Sequence, residues 1–236
     1  LQYALELLET QGITPLYFYL GKLLKETENG KSKASKNITK TRNFETIYLI
    51  TSKLKSENFE HPKQEKLLEV LKENLKGKNK KIIVFTQYRN TVHKIKEILD
   101  QKKINAEIFI GQAKKRNMGM NQKEQKKILD RFKENKINVL ISTSVGEEGL
   151  DIPEVDAVIF YEPIPSAIRQ IQRKGRTARL KPGKVIILMT RKTRDESYYY
   201  VAKYKERKME KTINKIKKVF SKEKTEQLNL NDFDDL

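Results

Sequence analysis

Residues 81–86, KIIVFT, decide the fold. Ile82, Ile83, Val84 and Phe85 form an apolar, largely β-branched run with no polar alternation, as expected of a strand covered on both faces in a parallel sheet. Toward the C-terminus the same kind of run returns at 106–110, 139–142, 157–161 and 185–189. Helical patterns fill residues 91–102, 122–134 and 165–178. The order strand, helix, strand, helix, strand, strand, helix, strand predicts an α/β fold with right-handed crossovers and a parallel sheet carrying helices on both faces.

Toward the N-terminus, residues 1–28 read as a helical hairpin broken near Gly12 and Pro15, and 29–40 (NGKSKASKNITK) has the polar, Lys/Ser-rich composition of a mobile linker. Helices are expected at 44–54 and at 62–75, where Pro62 suits a first turn. Beyond the sheet, 194–218 reads as a long charged helix with Tyr198, Tyr199, Val201, Ala202 and Tyr204 on its inner side, and 226–236 as a loose acidic tail. Three parts follow: a helical segment at 1–76 with its linker at 29–40, an α/β domain at 77–209, and a charged helix end with a flexible tail at 210–236. The first residue is not Met and the first helix has no cap, the pattern of a piece of a longer chain.

The 236 residues carry 50 Lys and Arg against 31 Asp and Glu, a formal net charge of +19. Such a surplus favours a polyanionic partner, because neutralising phosphates releases counterions, and makes nucleic acid the expected one. No apolar run approaches the length of a membrane span and no signal or lipidation motif occurs, so membrane partners are excluded and a cytoplasmic, nucleoid-associated location in a prokaryote is expected. Cysteine is absent and the two histidines, His61 and His93, are far apart, so no metal site is expected.

Ligands of a parallel α/β sheet gather at the carboxyl ends of its strands. After the first strand comes Thr86-Gln87-Tyr88-Arg89, where backbone amides at the next helix and Arg89 could hold a phosphate. After the third comes STSVGEEGLDIP (142–153), with hydroxyls for a nucleic-acid backbone, glycines for close approach, and Asp151 to accept from a ribose hydroxyl or an arginine. After the fourth comes IRQIQRKGRTAR (168–179), with Arg173, Arg176 and Arg179 three residues apart on one helical face. No acidic residue lies between Glu162 and Asp195. Fixed guanidinium groups of this kind suit the charge that develops in phosphoryl transfer.

In order, FTQYR, STSVGEEGLDIP and QIQRKGRTAR resemble the fourth, fifth and sixth signature motifs of superfamily 2 helicases, and residues 81 to about 204 look like the C-terminal motor lobe of that superfamily. LETQGITPLYFYL and HPKQEKLLEVLKE resemble the helical insertion between the motor lobes of the archaeal Hef and Fanconi anaemia M branch. The resemblance implies a RecA-like lobe preceded by a helical insertion, and ATP-dependent helicase or translocase activity on forked or branched DNA in replication-fork repair. It implies that Arg176 and Arg179 are arginine fingers, with Gln172 opening their motif and Arg173 and Gly175 as scaffold. It places Gly149 and Asp151 where nucleotide is coupled to strand movement, and Thr143, Ser144, Thr86 and Arg89 near the tracked strand's phosphates, with Gln87 and Gly111 beside them. ATP with Mg²⁺ would be held mainly by an N-terminal RecA-like lobe, the partner of this one. That lobe's P-loop does not occur here: Gly30-Lys31-Ser32 has Lys25 where the first glycine of GxxxxGK[ST] belongs, and no strand precedes it.

Glu206-Arg207-Lys208 imitates the ERKxxxD nuclease motif, but Thr212 stands at the Asp position. Gln227, Leu230 and Phe233 approach a sliding-clamp peptide, although Asp234 replaces its second aromatic. Two other readings stay open: an RNA helicase or RNA-sensing lobe of the same fold, and a non-enzymatic nucleic-acid scaffold.

Overall fold

A computed structural model describes residues 2–30, 32–111, 120–143, 152–166, 169 and 183–231, with side chains along the last helix described to residue 217. The N-terminal third is helical: α1 (Gln2–Gln11), α2 (Ile13–Glu28), α3 (Lys33–Thr39), α4 (Arg42–Ser56) and α5 (Pro62–Asn74). Gly12 makes the turn between α1 and α2 at φ 94°, and a Cβ there would lie 2.9 Å from the Cβ of His61. Both the backbone angle and the space therefore require glycine. Leu16, Leu20 and Phe44 form the small core of this region, with Ile38, Tyr19 and Tyr48 at its edge.

The expected linker at 29–40 instead contains α3. Ser32 caps it by accepting from the Ser35 amide at 3.2 Å, the Ser35 hydroxyl donates to Glu26 at 3.0 Å, and the hydroxyls of Thr27 and Thr39 bond at 3.0 Å. The Ser and Thr residues that suggested a linker are the ones that cap and tether the helix.

The α/β unit has five strands, β1 (Ile82–Phe85), β2 (Ala106–Phe109), β3 (Val139–Ser142), β4 (Ala157–Phe160) and β5 (Lys184–Ile187), in the order β2-β3-β1-β4-β5. All four pairings are parallel. Helix α6 (Arg89–Gln101) follows β1 and α7 (Gln122–Lys133) follows β2. Alternate residues of each central strand face opposite layers. Ile82, Val84, Ile141 and Ile159 pack with Val92, Ile95 and Leu99 of α6, while Ile83, Phe85, Leu140 and Val158 pack with Ile128, Leu129 and Phe132 of α7. Burial on both faces explains why the strands read as unbroken apolar runs.

Leu67 and Leu71 of α5 join the first of these layers. We therefore place α5 with the α/β unit, ahead of the boundary near residue 76 that composition suggested.

The last helix, α8 (Arg194–Asn231), is longer than expected, and the backbone of the supposed loose tail is helical through Asn231. No Gly or Pro interrupts residues 194–231, so nothing in the chain stops the helix. Ala202 is fully buried, but Val201 is 41% and Tyr204 68% exposed, against the expected inner face. Tyr204 lies two residues past Ala202, about 200° around the helix, and so points away from the face set by Asp195 and Ala202. Among the described residues, no helix is long and apolar enough to cross a membrane.

His61 caps α5: its Nδ1 accepts from the Lys63 amide at 3.1 Å, which leaves Nε2–H to donate to the Glu9 carbonyl at 3.0 Å. Burial holds its pKa below the usual 6.5, with the Glu9 carbonyl partly opposing the shift. A proton on Nδ1 would face the Lys63 amide, donor against donor. The neutral ring therefore contributes stability that is fully present above about pH 6.5 and is lost as pH falls through the lowered folded value. Thermal unfolding followed between about pH 7.5 and pH 5 should show a falling midpoint, and the fall should be smaller in His61→Asn, which can still cap the helix. Equal falls in both proteins would assign the pH dependence elsewhere.

Candidate nucleic-acid interface

Strand register lines up the ends of four strands. Phe109, Ser142, Phe85 and Phe160 form one paired row across β2, β3, β1 and β4. The residues just past that row therefore share one edge of the sheet: Gly111 after β2, Thr143 after β3, Thr86 and Gln87 after β1, and Glu162 after β4. The Thr86 amide donates to the Ser142 carbonyl at 3.0 Å, which holds the loop after β1 against the end of β3. Gly111 and Thr143 are buried, and Gln87 and Arg89 are partly exposed. The structure thus brings together five residues expected to contact nucleic acid: Thr86, Gln87, Arg89, Gly111 and Thr143. Ser144, Gly149, Asp151, Gln172, Arg173, Gly175, Arg176, Arg179 and Phe233 lie outside the described residues, and for Gln227 and Leu230 only the helical backbone is described.

The loop after β1 differs from expectation in what its polar groups do. Thr86 is 0% exposed, and its hydroxyl donates to Glu162 Oε2 at 3.1 Å while accepting from the Tyr88 amide at 3.4 Å. The Gln87 amide donates to Glu162 Oε1. Two amides expected to hold a phosphate are therefore already bonded, one of them to a carboxylate. The backbone here is positioned by an internal anion, and the side chains of Gln87 and Arg89 are partly exposed at its outer side.

Sequence reasoning passed over Glu162, which is 1% exposed. An acidic residue directly after the buried run 157–161 was the available signal, since a carboxylate in such a place requires donors. Its remoter partner, Gln11, is separated from it by 151 positions and carried no signal at all.

Helix α1 lies against the same edge through its acidic face. Glu6 accepts from the Tyr88 hydroxyl at 3.2 Å and from Arg194 Nη1 at 3.0 Å, and Glu9 accepts from the Arg194 amide at 3.2 Å. Burial, reinforced by the charge of Glu6, pushes the Tyr88 phenol well above its usual pKa, so it remains a neutral donor. Below α1, Lys63 donates to the Thr10 carbonyl at 3.2 Å and pairs with Asp195, whose carboxylate also accepts from the Thr190 amide at 3.0 Å.

Residues 62–181 match the family model described as "Helicase conserved C-terminal domain", and residues 1–58 match "Putative ATP-dependent RNA helicase, helical bundle". A Methanocaldococcus jannaschii protein named "Putative ATP-dependent RNA helicase" is 46% identical over 214 residues, 90% of this chain and 26% of the relative. The Fanconi anemia group M protein homolog of Mus musculus is 32% identical over 230 residues, 84% of this chain and 11% of the relative. Among solved structures, the Pyrococcus furiosus Hef helicase domain is similar at 51% identity and a TM-score of 0.65, over 84% of this chain and 40% of that one. The chain thus spans well under half of each of these relatives.

The Lys63–Asp195 pair is buried on both sides. Lys63→Met would leave the buried Asp195 without its ion-pair partner, and should cost about 3–5 kcal/mol. Chemical denaturation can measure this, with Lys63→Met/Asp195→Leu expected to recover part of the loss. A single variant as stable as its parent would contradict the expected cost of unpairing.

Proposed function

Since the chain belongs to the family of the helicase conserved C-terminal domain, we propose that it forms the C-terminal motor lobe and adjoining helical segment of an ATP-dependent DNA helicase or translocase acting on forked or branched DNA. One observation carries the reading. The register of β2, β3 and β1 sets Gly111, Thr143 and the Thr86–Arg89 loop side by side at the sheet edge where strand-tracking motifs of this family belong. Gln87 and Arg89 are assigned to the nucleic-acid backbone. Thr86, with its hydroxyl bonded to Glu162, is assigned to holding their loop.

Hydrolysis of ATP, held with Mg²⁺ mainly by an N-terminal RecA-like lobe, would supply the free energy for movement. The contribution of this chain is electrostatic. Arg176 and Arg179 stand in a stretch without a carboxylate from Glu162 to Asp195, so their charges are not cancelled by acidic neighbours in the sequence. That donor set fits a triphosphate, with Gln172, Arg173 and Gly175 orienting the two arginines, and Gly149 and Asp151 relating nucleotide state to the strand. Ser144 would join Thr143 at the strand, and Gln227, Leu230 and Phe233 are kept as a sliding-clamp contact. A cytoplasmic, nucleoid-associated location accompanies this reading.

In the complete protein, Arg176→Ala and Arg179→Ala should each lower nucleic-acid-stimulated ATP turnover by about a thousandfold or more. Unchanged turnover would favour the non-enzymatic scaffold. The 236-residue chain itself should bind branched DNA with an affinity that falls steeply as salt rises, and should turn over no ATP; robust hydrolysis by it would contradict the assignment of the nucleotide site.

A second reading is an RNA helicase, supported by the names of the M. jannaschii relative and of the helical-bundle model. Contacts to phosphates do not distinguish the sugars. Stimulation of the complete protein's ATPase by forked DNA over duplex RNA is the expected result, and the reverse order would select the RNA reading.

A further inference from the structure

Gln11, the last residue of α1, sits between the helical segment and the sheet edge. Its Nε2 donates to Glu162 Oε2 at 3.3 Å and to Thr10 Oγ1 at 3.2 Å, and its Oε1 accepts from the Thr91 hydroxyl of α6 at 2.7 Å. On its far side, Glu162 takes the hydroxyl of Thr86 and the amide of Gln87. Gln11, Thr86, Thr91 and Glu162 are all buried, so one dry network joins α1, the loop after β1, α6 and the end of β4.

We propose that Gln11 and Glu162 act as a bolt between the helical segment and the strand-tracking loop, and that Glu162 is a positioning residue for the nucleic acid held by Gln87 and Arg89. The proposal rests on the functional reading above. Its chemistry is directional. The Glu162 carboxylate accepts from three donors, on Gln11, Thr86 and Gln87. The Thr91 hydroxyl has a place for its proton on Gln11 Oε1, which fixes the Gln11 amide with its nitrogen toward Glu162. The Tyr88 hydroxyl on Glu6 repeats the connection between α1 and the same loop at a second point. Force or displacement applied to the hairpin of α1 and α2 therefore reaches the loop through buried, charge-assisted bonds instead of through mobile surface side chains.

The bonding pattern supplies its own test. An amide at position 162 points a donor at either Gln11 and Thr86 or the Gln87 amide, whichever way it turns. A carboxylate at position 11 faces the carboxylate of Glu162. Exchanging the two restores the central contact: the new amide at 162 donates to the new carboxylate at 11 and still accepts from Gln87, and Thr91 keeps its acceptor, while the hydroxyls of Thr86 and Thr10 must turn to suit. In the complete protein, Glu162→Gln and Gln11→Glu should each raise the concentration of forked DNA that half-saturates ATPase stimulation by about tenfold, the effect of one unsatisfied buried polar group. Gln11→Glu/Glu162→Gln should recover part of the loss relative to the poorer single variant. A merely structural role would lower the thermal midpoint of the single variants and leave the half-saturating DNA concentration of the folded proteins unchanged.

Half-saturation unchanged in Glu162→Gln would overturn the proposal, as would a double variant no better than the poorer single. Thermal midpoints of the same four proteins separate this failure from failure of the functional reading. If no nucleic acid stimulates the parent, the functional reading falls, and with it the positioning role, while rescue of the midpoint by the exchange would still establish the bolt.

Discussion

A buried carboxylate must be surrounded by donors or it destabilises the fold that contains it, and Glu162 organises one edge of this molecule for that reason. Its oxygens collect the hydroxyl of Thr86, the amide of Gln87 and the side-chain amide of Gln11. Those groups come from the end of the central strand and from the last residue of the first helix. Once they converge on one anion, the loop ahead of α6 has a defined path, and α1 has a defined seat on the α/β unit. The remaining contacts of α1, from Glu6 and Glu9 to Tyr88 and Arg194, extend that seat to α8.

The sheet itself was legible before any coordinates. Runs such as IIVF and AVIF are apolar at every position because both layers cover them, and that demand leaves a direct trace in composition. The family was legible through its motif stretches, since the chain that carries FTQYR, STSVGEEGLDIP and QIQRKGRTAR matches the helicase C-terminal domain over residues 62–181. Polar interactions over long separations left no such trace. Nothing in the neighbourhood of Gln11 indicates a partner 151 positions away. The same limit explains α3, where Ser32, Ser35 and Thr39 look like linker residues until their hydroxyls are seen to cap and tether a helix. It also explains Thr86, whose residue type suits a phosphate contact but whose hydroxyl serves the interior.

These features alter the division of labour between charge and position. In the proposed function the net charge of +19 would supply attraction to a polyanion and its salt dependence, but charge of that kind does not orient anything. Orientation comes from neutral and acidic groups: a buried carboxylate, two threonines, a glutamine and a tyrosine kept protonated by burial. In the reading developed above, the helical segment is held in fixed relation to the loop that meets the nucleic acid, and a shift in one is a shift in the other.

The central claim is that nucleic acid lies along the edge formed after β1, β2 and β3. Hydrogen exchange of the protein with and without forked DNA tests it most directly. The account predicts slowed exchange in peptides covering residues 86–92 and 139–143, with no change along the solvent-facing part of α4. Protection confined to α4 or to the distal turns of α8, with residues 86–92 exchanging as in the free protein, would contradict it.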